Sequence, residues 1–431
     1  MRILQKNFLI RRRVDLWLLF IAAAAMPVRL PLGPLILFIF SCIGVYLALC
    51  KNRFHRFYGA HFYLLISAYM IWSLGLMAWR GELDAANRQV GYVLLLWLYS
   101  FGGLGMVLVR DPVRILAFGS RIGLIICATA VAGEELFLGG RIGVGGNPAV
   151  FAYAAAITAV AATLPIKKPP FLLPNGPWYL IIGTGVVFAS ETRAVMLTLA
   201  LLAIFEIVVL IGRIASHKVK IGSSLMLAAC LTAVFTVGPV ASVLSQRFSG
   251  MMHYYETGDS SQWSDKSSAD TREQMWRGAA KVVSEHPLTG VGSDQKMTAV
   301  REALGDQATL LDGYIHVHNS VLDELLVNGA VGFLLLLAAA LCGFVFLWRN
   351  NSDCAIRRVL IYFTITWGSY AMLHNPLLHE TSIAVTMFFF SAVYAGTSRN
   401  LLRQSSGAEN ALDFYNRRPV RELAFPAGVK G

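Results

Sequence analysis

Runs of about 20 apolar residues recur along almost the whole chain, and they constrain its fold more than any other feature of the sequence. A helix needs about 20 apolar residues to cross the hydrocarbon core of a bilayer. With 56% hydrophobic and only 14% charged residues, the chain departs from the composition of soluble domains. The sequence therefore predicts an all-α polytopic membrane protein.

The apolar runs predict about twelve transmembrane helices. We place them at residues 14–30, 32–50, 60–79, 90–109, 115–133, 149–165, 177–191, 194–211, 222–243, 322–348, 356–373 and 380–397. A large polar, partly helical loop precedes the last three. The expected order is an N-terminal transmembrane region of about nine spans (1–243), the loop with the catalytic elements (244–321), a C-terminal transmembrane region (322–397) and a tail (398–431).

The basic residues predict how these helices are oriented. Most of the lysines and arginines fall in alternate loops on the same side as the N-terminus, whereas the short loops of the opposite side hold few. Cytoplasmic loops are the ones enriched in basic residues. Both termini are therefore expected in the cytoplasm and the loop 244–321 outside. This rule also explains the net charge of +12 without a nucleic-acid partner.

Arg193 lies in a narrow polar break, Ser190-Glu191-Thr192-Arg193, between two apolar runs. Ionisable residues at the membrane boundary are costly to place and tend to mark function. An arginine that reaches up to lipid phosphates, or one that pairs with Glu191, is also compatible with this position.

Arg272 falls in a predicted helix of the loop. The helix is expected to begin at Asp270, as its N-cap, and to end before Pro287. Arg272, Trp276, Ala280 and Val283 recur at helical spacing on an apolar face, which is an unusual place for a charge without a partner. The partner could be an anionic headgroup, bound by the guanidinium fork, or a carboxylate of the loop.

His318 closes the polar loop, directly before Asn319 and Ser320, which are typical helix-capping residues. The positive end of the following helix favours a neutral imidazole, and a neutral imidazole can act as a general base. A capping or interface role is the alternative. His316 could form a His-x-His metal pair with His318, but no third ligand has convincing spacing, so neither a metal nor another cofactor is expected.

The ordered set of motifs resembles the O-antigen ligase family. The motifs are Ser190-x-x-Arg193, Arg272-x-x-x-Trp276-x-Gly278, His286-Pro287-Leu288-Thr289-Gly290-Val291-Gly292, and His318-Asn319-x-x-Leu322 followed by Gly329-x-x-Gly332. The superfamily also contains O-antigen polymerases and bacterial protein O-oligosaccharyltransferases. Gly145-Gly146-Asn147-Pro148 resembles a further element of these proteins, to which we assign no role.

The resemblance implies a bacterial inner-membrane glycosyltransferase of lipopolysaccharide assembly. Such an enzyme moves O-antigen glycan from undecaprenyl diphosphate to lipid A-core oligosaccharide at the periplasmic face. In this chain His318 would be the general base, and Arg193 and Arg272 would bind the diphosphate. Because the donor arrives activated, we expect a metal-independent transfer, and direct attack on the anomeric carbon predicts inversion.

The acceptor is the less constrained partner. Trp276 and Asn319 of the motifs are candidates for substrate binding, and so are basic loop residues that would suit a phosphorylated core, lipid headgroups or plain solvent. These basic residues are Arg247, Lys266, Arg277, Lys281, Lys296 and Arg301. A polymerase would use the same donor class, whereas a lipid-linked glycan transporter would favour internal repeats, of which we find none. Protein oligosaccharyltransferases of this type usually carry an extra soluble domain, and only residues 398–431 follow the last expected span here, so a ligase is expected instead.

Overall fold

Helices form along the apolar runs because a backbone in lipid must satisfy its own hydrogen bonds. The computed structural model describes residues 2–28, 30–50, 59–137, 142–190, 192–213, 216, 218–226, 256–257, 266–305 and 311–405. The α-helices are Arg2–Ala25, Leu32–Cys50, Ala60–Arg80, Arg88–Ser100, Gly102–Met106, Pro112–Phe137, Pro148–Ala162, Trp178–Ala189, Arg193–Gly212, Lys266–Glu285, Lys296–Leu304, Ser320–Asn350, Cys354–Leu373 and Glu380–Ser405. A 3-10 turn, Pro376–Leu378, precedes the last of them.

The fold class predicted from the apolar runs is confirmed. Within the described residues, seven helices are long and apolar enough to cross a membrane, and three shorter apolar helices accompany them. The protein is therefore an all-α polytopic membrane protein. The ninth expected span, 222–243, lies mostly outside the described residues.

The chain divides into two compact units. The first comprises residues 1–199, 334–370 and 376–431, and the second comprises residues 200–333 and 371–375. The second unit thus contains the polar loop and continues through Phe333, past the expected loop boundary at residue 321.

Glycines let helices of the first unit approach at backbone distance. A Cβ on Gly44 would lie 2.0 Å from the carbonyl oxygen of Phe101, and one on Gly105 would lie 1.9 Å from that of Phe40. The helix Leu32–Cys50 and the short helix Gly102–Met106 therefore pack with almost no side chain between them. Small residues at the interface are typical of membrane helix pairs.

Arg121 is fully buried in the helix Pro112–Phe137 of the same unit. Its guanidinium donates to the carbonyls of Ala162, Leu164 and Leu173 at 2.8–2.9 Å and to Asn175 Oδ1 at 2.7 Å. Ala162 ends the helix Pro148–Ala162, whose last carbonyls need donors. Arg121, which lies within the fifth expected span (115–133), is thus a structural residue that caps a neighbouring helix.

The second unit has a core of its own. It is formed by Met275, Ala279, Val282, Met297, Val300, Leu311, Val317 and Leu326. These residues come from the first loop helix (Lys266–Glu285), the second loop helix (Lys296–Leu304), the turn before His318 and the start of the helix Ser320–Asn350. The polar loop is therefore a packed structure that can hold side chains in fixed positions.

The long helix Ser320–Asn350 is interrupted at Gly329, which has φ 67° and ψ −172°. At this break the carbonyl of Leu326 accepts from the N–H groups of Val291 and Gly292, at 2.7 and 3.2 Å. Ala330 N–H donates to the carbonyl of Pro287 at 2.8 Å. The expected uninterrupted helix over 322–348 is therefore wrong at Gly329, where residues 286–292, here called the docking segment, supply the missing partners.

Candidate catalytic site

His318 lies directly before the long helix, in the left-handed backbone region with φ 51°. Asn319 caps this helix, since its Oδ1 accepts from the N–H groups of Val321 and Leu322 at 3.0 and 3.1 Å. The predicted cap is confirmed. Asn319 was also a candidate for substrate binding, and the hydrogen bonds described for its side chain are these two capping bonds. A residue other than glycine is seldom found at positive φ, and such strain is concentrated at functional sites.

Three other rings surround the His318 imidazole. The ring centroid of His316 lies 4.2 Å away, that of His374 5.4 Å away, and that of Tyr314 5.6 Å away. Nδ1 of His318 is buried and has no hydrogen-bond partner among the described residues. The half-buried imidazole therefore has one ring nitrogen that no described residue satisfies.

Electrostatics keep this imidazole neutral. Burial, followed by the nearby His316, His374 and Arg272, lowers the pKa of His318 to about 3. Burial also lowers the pKa of His316. The lowered pKa favours the neutral imidazole at physiological pH, and its largest cause is burial rather than the helix end that the sequence suggested.

Hydrogen bonds to the backbone fix the turn that carries His318. Trp276 Nε1 donates to the carbonyl of Val317 at 2.9 Å. Arg301 donates to the carbonyls of Leu311 and Tyr314, each at 3.2 Å. Trp276 and Arg301 were candidates for substrate binding, and in the structure their polar groups hold the protein's own turn.

Arg272 lies at the edge of the buried face of the first loop helix. Met275, Ala279 and Val282 form that face. Ala280, which the sequence placed on the apolar face, is exposed, so the buried face is rotated about the helix axis relative to the predicted one. The helix begins at Lys266, which places Asp270 within it and makes the predicted N-cap wrong, but it ends at Glu285 as expected. Arg272 is half-buried, and its charge is one of the causes that lower the pKa of His318.

Three other arginines were also predicted as site residues. Arg277 is exposed on the same helix and pairs with Glu273, one turn before it. Arg193 begins the helix Arg193–Gly212, but its side chain lies outside the described residues, and so does all of Arg247. Their roles remain predictions.

The sequence did not reveal that Asp323, an acidic residue beside the turn that carries His318, is buried. Lys296, considered above as a basic residue open to solvent, is 5% exposed and donates to both carboxylate oxygens of Asp323 at 3.0 Å. Asn375 Nδ2 donates to the same carboxylate at 3.0 Å. His374, also missed, joins the site through its ring and accepts from Ser320 Oγ at its carbonyl, at 3.1 Å.

The described residues contain no group of three or more His, Cys, Asp and Glu side chains that could hold a metal ion. His316 and His318 lie close together, but no acidic or sulfur ligand completes a set with them in the described part of the chain.

Comparisons with known proteins agree with the motif assignment. Residues 178–337 match the family model described as O-antigen ligase. An O-antigen ligase of Pseudomonas aeruginosa (strain PAO1) is 30% identical over 132 residues, which is 29% of this chain and 31% of the relative. The match thus spans less than a third of the relative's length. The resemblance seen in the motifs is confirmed, and the matched segment contains the turn, both loop helices and the docking segment.

Proposed function

We propose that this chain, whose residues 178–337 match the O-antigen ligase family model, transfers O-antigen glycan from undecaprenyl diphosphate to lipid A-core oligosaccharide at the periplasmic face of the bacterial inner membrane. The observation that supports the proposal is the half-buried His318 imidazole, whose Nδ1 has no partner among the described residues, in the same packed unit as the half-buried Arg272. A base beside a cation is what transfer from a lipid diphosphate requires.

In the proposed reaction the acceptor hydroxyl gives its proton to His318 while its oxygen attacks the anomeric carbon. The bond from that carbon to the diphosphate oxygen breaks, and the electron pair leaves with undecaprenyl diphosphate. Arg272, together with Arg193, would balance the negative charge on the leaving diphosphate through charge-assisted hydrogen bonds. The attack from the opposite face inverts the anomeric centre.

Donor binding would also strengthen the base. A pKa of about 3 makes resting His318 a weak proton acceptor, and the charge of Arg272 is one of the causes. A diphosphate beside Arg272 would offset that charge and would attract a proton to the imidazole. The free enzyme would then hold His318 neutral and unreactive until the donor is in place.

Purified protein in detergent, supplied with lipid-linked O-antigen and lipid A-core, tests the proposal. No compartments exist in detergent, so a product that joins the two would support an enzyme over a transporter. A second lipid-linked glycan offered as the acceptor gives a longer donor-linked chain if the protein is a polymerase. Formation of neither product by a folded protein would contradict the proposed activity.

His318→Asn tests the base separately. Asparagine tolerates the left-handed conformation and can take over a capping role, but it cannot accept the proton. We expect normal folding and a rate lower by about 10²–10⁴-fold, which is the usual contribution of a general base. His286→Asn is the matched control, because the His286 side chain is exposed in the same unit. A fully active His318→Asn enzyme would remove His318 from the mechanism.

Transfer is also expected to continue in excess chelator, because the donor is activated before it reaches the site. The test compares initial rates with and without chelator. A rate lost on chelation and restored by one divalent ion would bring His316 and His318 back as ligand candidates.

A further inference from the structure

Lys296 and Asp323 form an ion pair inside the second unit. Lys296 Nζ lies 3.0 Å from both carboxylate oxygens, and the exposed fractions of the two side chains are 6% and 2%. Lys296 begins the second loop helix, and Asp323 lies in the first turn of the long helix. The pair therefore joins two elements that are 27 residues apart in the chain.

The same carboxylate holds two further segments. Asn375 Nδ2 donates to Oδ2 at 3.0 Å, and the backbone N–H of Val317 donates to Oδ1 at 3.5 Å, which is a long contact. Asp323 thus reaches the residue that directly precedes His318.

Val317 is held on both sides of its Cα. Its N–H contacts Asp323, and its carbonyl accepts from Trp276 at 2.9 Å. The next residue, His318, has φ 51°, a conformation that ordinary residues avoid unless the surroundings impose it. Asp323 thus contacts the peptide group between His316 and Val317, and Trp276 contacts the one between Val317 and His318.

Stability alone is a poor explanation for this ion pair. Both charges must leave water when they are buried, and replacement of such a pair by apolar side chains of similar volume is often neutral or stabilising. What the pair does supply is a fixed connection between four segments, one of which directly precedes His318.

We propose that Asp323, held by Lys296, is a positioning residue that keeps His318 in its strained conformation for proton transfer. This inference rests on the proposed function of His318. Asp323 itself does not touch the substrate. Its loss should therefore reduce the rate of transfer and leave donor binding intact.

Asp323→Glu is the first test, because it retains the charge and moves the carboxylate by one methylene group. A displacement of about 1 Å from the reactive geometry can cost about 100-fold in rate, so we expect kcat to fall by about that factor with an unchanged donor KM. Asp312→Glu is the matched control, since Asp312 is exposed in the same turn. An Asp323→Glu enzyme with the kcat of the wild type would overturn the proposal.

The double variant Lys296→Met, Asp323→Leu is the second test, because it removes both charges and leaves neither buried alone. We expect a folded protein with the same loss of kcat. Normal kcat in the folded double variant would show that the pair is dispensable for positioning. Failure of both test variants to fold, with Asp312→Glu folded, would also overturn the proposal, because the pair would then serve the fold itself.

A readout that does not need transfer separates this inference from the proposed function. Hydrogen exchange of residues 311–318 and the rate at which diethylpyrocarbonate modifies His318 are measured by mass spectrometry in the wild type and in Asp323→Glu. We expect faster exchange and an altered modification rate in the variant. These changes without any transfer by the wild type would contradict the proposed function alone, whereas active wild type with neither change would contradict the positioning role alone.

Discussion

Arg272 and Arg277 lie on the same loop helix and differ in surroundings, which makes them a natural pair for comparison. Arg272 is half-buried and acts on His318, whereas Arg277 is exposed and paired with Glu273. We expect Arg272→Ala to abolish transfer, because the leaving diphosphate loses charge-assisted hydrogen bonds. Arg272→Lys should restore only part of the rate, since lysine lacks the guanidinium fork. The measurement is the initial rate in detergent.

Arg277→Ala is the control for this experiment, since an exposed ion pair contributes little. It should transfer at nearly the rate of the wild type. If both alanine variants remained active, Arg272 would be a structural residue of the loop helix and the diphosphate would need another cation.

The depressed pKa of His318 predicts an unusual pH profile. An imidazole with the ordinary pKa of 6.5 would lose kcat/KM by about tenfold for each pH unit below that value, because its neutral form is the base. With a pKa of about 3, His318 stays neutral, so kcat/KM should show no such decline between about pH 5 and 7.

The donor complex should behave differently, because the bound diphosphate favours the protonated imidazole. The acid limb of kcat is therefore expected at higher pH than that of kcat/KM. Initial rates over a range of donor concentrations at each pH separate the two parameters. A kcat/KM profile that falls with an apparent pKa near 6.5 would contradict the buried, neutral imidazole.

Individual residues differ in how far the sequence alone could place them. Asn319 was predictable, because an asparagine at the start of an apolar helix satisfies local N–H groups by a rule that needs only neighbours in the chain. Lys296 was not, because a lysine in a basic loop looks solvated until Asp323, 27 residues later, is brought beside it. Trp276 was predicted to bind substrate because its hydrogen-bond acceptor, the carbonyl of Val317, is 41 residues away in the chain and cannot be seen from the local sequence.

At the level of elements, the break at Gly329 is the feature that positions the site. Its φ of 67° and ψ of −172° lie in a region that is essentially restricted to glycine. A Cβ at this residue would lie 2.2 Å from the carbonyl oxygen of Leu288. The docking segment can therefore approach the long helix only because residue 329 has no side chain.

Gly329→Ala should destabilise the protein by at least about 1–3 kcal/mol, the cost of such a backbone conformation for a residue with a side chain. Gly133→Ala, in the helix Pro112–Phe137, is the matched control. A Cβ there meets no atom within 4 Å, and alanine favours a helix by about 1 kcal/mol over glycine. Thermal unfolding in detergent measures both, and equal midpoints for the two variants would mean that the break is not required.

The sequence contains one sign of this break that periodicity alone does not use. Asp323 and Glu324 fall at the start of an apolar run, and both are buried. Charged residues inside an expected span usually mark a site or a protein-facing segment. The position of the break still could not be derived, because Gly329 is compatible with a continuous helix until Pro287 and Leu288 supply backbone partners.

At the level of the whole molecule, the apolar runs were sufficient for the fold class, because a membrane segment depends on its own composition more than on distant partners. They were not sufficient for the interior of the loop, whose core joins residues from 275 to 326. Orientation depends on the distribution of lysine and arginine and remains a prediction.

Single cysteines introduced between Ser260 and Ala269, in a background without the six native cysteines, test that orientation. They should react with membrane-impermeant thiol reagents in intact spheroplasts, because the loop is expected on the periplasmic side. A cysteine in the tail 406–431 is the control and should react only after lysis. The reverse pattern would place the loop, and the site with it, in the cytoplasm.

The hydrogen bonds between residues 287–292 and 326–331 limit how this protein can be recombined with its relatives. In a chimera whose polar loop up to His318 came from a relative, the relative's docking segment would pack against this protein's helix break at Gly329. The backbone groups of Leu326 and Ala330 would then depend on a partner selected in another sequence. The proposed transfer should therefore survive such an exchange only when residues 286–333 move as one block.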